Sequence, residues 1–249
     1  MAGRSYKTQA VVLRSLRLGE ADRVLHLYTL ERGRIGAVAK GVRKTRSRFG
    51  ARLEPLSHVD LVLHRGTGEL ETVTGVQLVR SHQPVRDDYR RLSVGLIGAE
   101  AMLRLFSEQE ANERAFVALT RFLDLLDASP TEPGRPALHA LGLAFQLKLL
   151  WLSGYLPHLT SCASCGGDDA ALVGYSPAAG GAVCGRCAGR AGALALGPEG
   201  IAGIEALLAH PLAEAAALEL TDRARRDALR VVTASYEYHG GFRLRTLSA

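Results

Sequence analysis

From residue 7 to about 79, apolar and polar positions alternate at the two-residue period of half-buried strands, in short runs rich in Val, Leu and Thr. The runs predict five strands, over 7–16, 24–29, 34–39, about 58–64 and about 70–78. In the fourth, Val59, Leu61 and Leu63 face one way and His58, Asp60 and His64 the other. Glu31-Arg32-Gly33 and Gly66-Thr67-Gly68 read as the tight turns between strands. Five strands in fewer than eighty residues fit a small closed barrel of the OB type, because closure leaves no exposed strand edge.

From Pro84 the period becomes helical, with Tyr89, Leu92, Leu96, Leu103 and Phe106 at three- and four-residue intervals. A second helix, about 110–127, collects Phe116, Leu119, Phe122, Leu123 and Leu126 on one side and stops at Ser129-Pro130. After a linker at 130–136, a helix over about 137–153 is apolar nearly all round, through Leu141, Phe145, Leu149 and Trp151, which predicts the buried centre of a bundle. Pro198 opens another helix with Ile201, Ile204, Leu207 and Leu208. Thr221 caps a last one to about 238, with Leu229, Val232 and Tyr236 inward, before Gly240-Gly241. The expected architecture is α+β: an OB-fold barrel over 1–80, then an all-α domain over 81–160 and 191–249, interrupted by a cysteine-bearing insert at 161–190.

That insert holds Cys162-Ala-Ser-Cys165 and Cys184-Gly-Arg-Cys187, two Cys-x2-Cys knuckles separated by eighteen residues. Two reducible disulfides or four unconnected thiols are the plainer readings. The spacing favours a zinc ribbon, with Cys162, Cys165, Cys184 and Cys187 as ligands and Gly166 or Gly185 letting the backbone curl beneath the metal. Four protein ligands leave no open coordination position, so the Zn2+ is expected to be structural.

Composition of 47% apolar and 22% charged residues is that of a folded chain. The first apolar run, Ala10 to Leu13, is too short for a signal peptide, and no window approaches a membrane span, so the expected location is the cytoplasm. Charge is more telling. The first fifty-two residues carry thirteen bases against three acids, a net +10, while the remainder is net −4. The densest run is Lys40, Arg43, Lys44, Arg46, Arg48 and Arg52, with no acid before Glu54. Such a loop repels itself unless phosphates neutralise it, which points to nucleic acid. These six are the first candidate phosphate contacts, followed by Arg14, Arg17, Arg23 and Arg34 on the barrel. Phe49, an aromatic between arginines, has two readings: stacking on a base, or plugging the barrel's end.

Catalytic signatures are missing. The nearest phosphate cradle, Gly36-Ala-Val-Ala-Lys-Gly41, is followed by Val42 where a Walker loop needs Lys, so neither ATPase activity nor enzymatic chemistry is expected. A metal-dependent hydrolase would need a coordination position that the four cysteines close.

The stretches Tyr6-Lys-Thr-Gln-Ala-Val-Val-Leu-Arg14, Leu18-Gly-Glu-Ala-Asp-Arg23, Ala37-Val-Ala-Lys-Gly41, Ser47-Arg-Phe-Gly50 and Glu54-Pro-Leu-Ser-His-Val59 resemble the bacterial DNA repair family RecO. Gly154-Tyr-Leu-Pro157 before the knuckles and the tail Phe242-Arg-Leu-Arg-Thr-Leu247 extend the likeness along the chain. The resemblance implies a recombination mediator that binds single- and double-stranded DNA and anneals complementary strands. Its implied partners are RecR, single-strand-binding protein and, indirectly, RecA. The rival reading is a zinc-ribbon transcription or translation factor. The acidic tail of single-strand-binding protein would want a basic-rimmed apolar groove, for which Arg121, Lys148, Arg225 and Arg230 are the candidate rim cations.

Overall fold

The first strand, β1 (Arg4–Leu18), is fifteen residues long and is shared by two neighbours. Its first half pairs with β4 (His58–Arg65) and its second half with β2 (Asp22–Thr29), both antiparallel, with a break in register between Val12 and Arg14 where it bends. β3 (Gly33–Ala39) follows β2 through the expected Glu31-Arg32-Gly33 turn, and β5 (Glu71–Arg80) closes the sheet. The closure is a short parallel contact, Ala37 with Glu71 and Val38 with Thr72, giving a closed barrel of order β1-β2-β3-β5-β4. All five strands lie where the alternation placed them. Ala10, Leu25, Leu27, Ile35, Val59, Leu61 and Leu63 point inward and form its core.

The structure, a computed structural model, describes residues 4–44, 47, 49–130, 133–168 and 171–247. The chain divides into two compact units, Met1–Ser129 and Pro130–Ala249.

The first unit adds three helices to the barrel: α1 (Gln83–Asp87), α2 (Tyr89–Leu105) and α3 (Glu113–Ala128). α3 buries the five large residues expected of it, is capped by the Asn112 side chain and ends at Ser129. α2 corrects the reading of its periodicity. Tyr89 is exposed and Leu92, Leu96 and Leu103 are only half-buried, whereas Val94, Gly95, Ile97, Gly98, Ala99, Ala101 and Met102 are buried. Small side chains let the helix approach closely: a methyl on Gly95 would come within 2.7 Å of Leu56, whose N–H donates to Val12 of β1.

In the second unit α4 (Ala140–Leu152) is buried nearly all round, as its composition demands. Trp151 is the exception, 49% exposed. β6 (Leu172–Ser176), β7 (Gly181–Cys184), the single turn α5 (Gly185–Ala188) and β8 (Leu194–Ala195) make up the cysteine segment, a sheet of order β7-β6-β8 that the sequence reading did not anticipate. α6 (Pro198–Ala209), the short α7 (Leu212–Ala215) and α8 (Asp222–Gly240) complete the unit, and Thr221 caps α8 as expected. Tyr236 of α8 donates to the buried Gln146 Oε1 of α4 at 2.5 Å.

Candidate nucleic-acid interface and metal centre

The connection from β3 to β4 leaves the barrel as the cationic loop. Its start is held by Gly41 N–H donating to Asp22 Oδ1 at 2.7 Å and Arg43 N–H donating to the Ala21 carbonyl at 2.9 Å. Its end is held by a turn of 3-10 helix, Gly50–Leu53, that drops Leu53 into the barrel core beside Phe49. Phe49 is 1% exposed, which settles its two readings. It packs into the barrel core with its ring out of water and is not available to stack on a base.

With both ends of the loop fixed, Lys40, Arg43, Lys44 and Arg52 lie exposed on the rim. Arg46 and Arg48 lie outside the described residues. Arg43 donates to the Gly19 carbonyl at 3.4 Å and Arg52 to the Phe49 carbonyl at 3.3 Å, contacts that orient the side chains. On the strands, Arg14 and Arg17 are exposed. The other two strand candidates are engaged internally. Arg23 pairs with Glu54 at 3.3 Å, and Arg34 pairs with Glu108 at 3.3 Å and donates to the Leu103 carbonyl. His26 is a residue the sequence reading missed. It sits across from Arg14 in the β1–β2 register, and burial, then the charges of Arg14 and Arg34, lower its pKa. Its place beside Arg14 and Arg34 on this barrel face is visible only once the strands are paired.

The four cysteine sulfurs form the second site. Cys162, Cys165, Cys184 and Cys187 Sγ all lie within 4.8 Å of one another, with Cys165 to Cys184 at 3.9 Å. Disulfides need about 2.05 Å, so these are not cystines. Four thiolates bound to zinc at about 2.3 Å would stand about 3.8 Å apart at tetrahedral corners, so the set fits the ion. Each knuckle is a tight turn: Gly166 N–H donates to the Cys162 carbonyl at 2.8 Å with Gly166 in the left-handed region at φ +71°, while Gly185 begins α5. Backbone N–H groups, that of Cys184 foremost, hold the Cys162 thiol down to about 6, and that of Cys187 lowers Cys184. Cys165 is pushed up to about 11: the N–H of Gly167 favours its thiolate, but the neighbouring thiols Cys162, Cys187 and Cys184 and burial outweigh it. Four thiols this close cannot ionise together unless a cation joins them, which again suits a dication. The surrounding core is thin, namely Val183 with half-buried Leu172 and several alanines.

A third feature lies elsewhere in the second unit. Lys148 and Trp151 of α4, Glu205 and Leu208 of α6, and Leu156 and Leu159 of the following loop line an open groove of about 930 Å³. Lys148 donates one bond, to the Leu208 carbonyl at 3.1 Å, and burial lowers its pKa. Among the described residues no helix is long and apolar enough to cross a membrane.

Comparison with known proteins agrees along the chain. Residues 1–82 match the family model described as recombination protein O N terminal, and residues 86–248 the one described as recombination protein O C terminal. The DNA repair protein RecO of Rubrobacter xylanophilus is 40% identical over 93% of this chain and 90% of its own length. Those of a Nocardioides species (38%, covering 82% of each chain) and an Anaeromyxobacter species (36%, covering 96% and 92%) are similar.

Proposed function

The chain belongs to the recombination protein O family of DNA repair proteins, and from that premise we propose that it binds single- and double-stranded DNA through the loop between β3 and β4, anneals complementary strands without consuming nucleotide and, with RecR, helps load RecA onto DNA covered by single-strand-binding protein. The observation that carries this reading is the loop itself, fixed at Asp22 and in the barrel core while presenting Lys40, Arg43, Lys44 and Arg52 outward. Two complementary strands repel, and cations that cover both backbones while leaving base edges free lower that barrier without bond-breaking chemistry. Arg46 and Arg48 belong to the same contact set by sequence, and Arg14 and Arg17 extend it along β1. Zinc, when bound, supplies a closed structural crosslink between the knuckles and no catalytic position.

The test mixes two complementary oligonucleotides with the purified protein, without ATP, and times duplex formation. Annealing well above the spontaneous rate is expected; a rate equal to the spontaneous one overturns the reading.

We assign the acidic tail of single-strand-binding protein to the groove beside Trp151. The Lys148 ammonium stands in a largely apolar trough with donor capacity remaining, which suits a peptide that lays apolar side chains against Trp151, Leu156 and Leu208 and sets a carboxylate on Lys148, away from Glu205. Lys148→Glu should abolish capture of a labelled tail peptide and leave oligonucleotide binding unchanged.

A further inference from the structure

The two walls of that groove are built differently. One is formed by α4 and α6, regular helices held in the bundle by Leu149, Leu150, Ile204 and Leu207. The other is 156–160, a stretch without helix or strand. Its hydrogen bonds run to the cysteine segment. His158 N–H donates to the Gly180 carbonyl at 3.0 Å, Ala182 N–H donates to the His158 carbonyl at 2.7 Å, and Ala163 N–H donates to the Ala182 carbonyl at 2.8 Å. The wall therefore meets the start of β7 through a single parallel bridge, His158 with Gly181. Both chains then end in metal ligands, Cys162 four residues past His158 and Cys184 at the last position of β7, where Cys184 N–H donates to Cys162 Sγ at 3.3 Å.

β7 is a four-residue edge strand whose pairing with β6 is irregular between Leu172 and Gly174. β6 and β8 have ties to the bundle through Tyr175 to Ser235 at 2.8 Å and Ala195 to Arg230 at 2.9 Å. What holds β7 and 158–163 together at their far end is the cysteine cluster, and its fringe of alanines buries too little apolar area to replace a metal.

We propose that metal binding by the four cysteines fixes the 156–160 wall through β7, so that the groove accepts its peptide fully only when the knuckles are metallated. The coupling rests on the reading of the groove as a peptide site. By linkage it is reciprocal: a peptide seated in the groove tightens the metal.

Gly181 provides a test that touches neither site. It is neither a ligand nor a lining residue, yet a methyl there would meet the His158 carbonyl oxygen at 2.1 Å and drive the wall from β7. The experiment uses the full chain and a fluorescent peptide with the acidic, carboxylate-terminated tail of single-strand-binding protein. Zinc-loaded wild type, chelator-stripped wild type and zinc-loaded Gly181→Ala are compared by anisotropy, with metal content and hydrogen exchange read in parallel. If a released wall is in place about one tenth of the time, the apparent Kd rises about tenfold, since apparent affinity scales with the competent fraction. The expected result is that loss for both altered forms, with amides of 158–160 losing protection and those of α4 and α6 keeping theirs. Metal lost from Gly181→Ala together with the wall's protection also supports the coupling. Wild-type affinity in zinc-loaded Gly181→Ala, or in stripped protein whose helices stay protected, overturns it. Should chelation unfold the helices, Gly181→Ala decides alone. Should zinc-loaded wild type fail to bind the peptide, the groove assignment falls, and exchange at 158–160 with and without zinc still decides whether metal fixes the wall.

Discussion

The barrel encloses Leu25, Leu27, Leu61, Leu63 and Phe49, whereas the sheet at the knuckles encloses three cysteines and Val183 with a fringe of alanines. Both are small β structures with tight turns, but one buries enough apolar surface to close on itself and the other does not. The difference explains where each tolerates function. A barrel with a self-sufficient core can carry a run of like charges on one connection, because the stability that their repulsion removes is supplied elsewhere. The knuckle segment has no such reserve, and its four clustered thiols are where a bound metal would supply one.

Metal removal should separate the two regions most sharply. Chelation, or Cys184→Ser, is expected to abolish exchange protection in β7 and 158–163 while leaving β1, β2 and β4 protected. Equal loss in the barrel would show that it too depends on the metal. Next in size is the barrel's own plug. Phe49→Ala should lower the unfolding free energy by about 3–5 kcal/mol, read by denaturant titration, with zinc content unchanged. A neutral result would mean the ring is not in the core. Third, Arg43→Glu with Lys44→Glu should flatten the salt dependence of single-strand binding, by about 0.7 in log–log slope for each phosphate no longer neutralised, alike for every base sequence. An unaltered slope would remove the loop from the interface.

The smallest effect is acid sensitivity of the first unit. Burial lowers the pKa of His58, of His82 against Asp127, and of His26 in the folded state. The unfolded chain therefore binds more protons, and the stabilisation is complete above the ordinary histidine pKa of about 6.5 and lost as pH falls through the lower folded values. Exchange protection of β4 should weaken below that pH even in zinc-replete buffer. Constant protection down to the carboxylate range would contradict the placement of these rings.

The strands of the barrel were legible because Val, Leu and Thr alternate there with polar residues between strong turn signals. α3 was legible because its buried residues are large. α2 is hard to read for the opposite reason: its leucines carry the visible period, while the helix buries glycine and alanine. The strands at the knuckles are too short and too rich in small residues to carry a period, although the two Cys-x2-Cys pairs around them are plain from spacing alone. Phe49 could not be decided from its neighbours, since an aromatic among arginines looks the same in sequence whether it turns outward or into a core. His26 became meaningful only through the register that sets it opposite Arg14. Of the four candidate rim cations, only Lys148 lines the groove, a choice made by the packing of α4 on α6 rather than by any local pattern.

The fifteen-residue first strand has a kinetic corollary. Its early half must find a partner some fifty positions downstream, Val11 meeting His58, before the cylinder can shut. The segment drawn into that encounter includes the six like charges, so refolding has both distant pairing and electrostatic crowding to overcome in one step. Added salt, expected to weaken the proposed hold on nucleic acid, should therefore speed the assembly of the surface proposed to provide it.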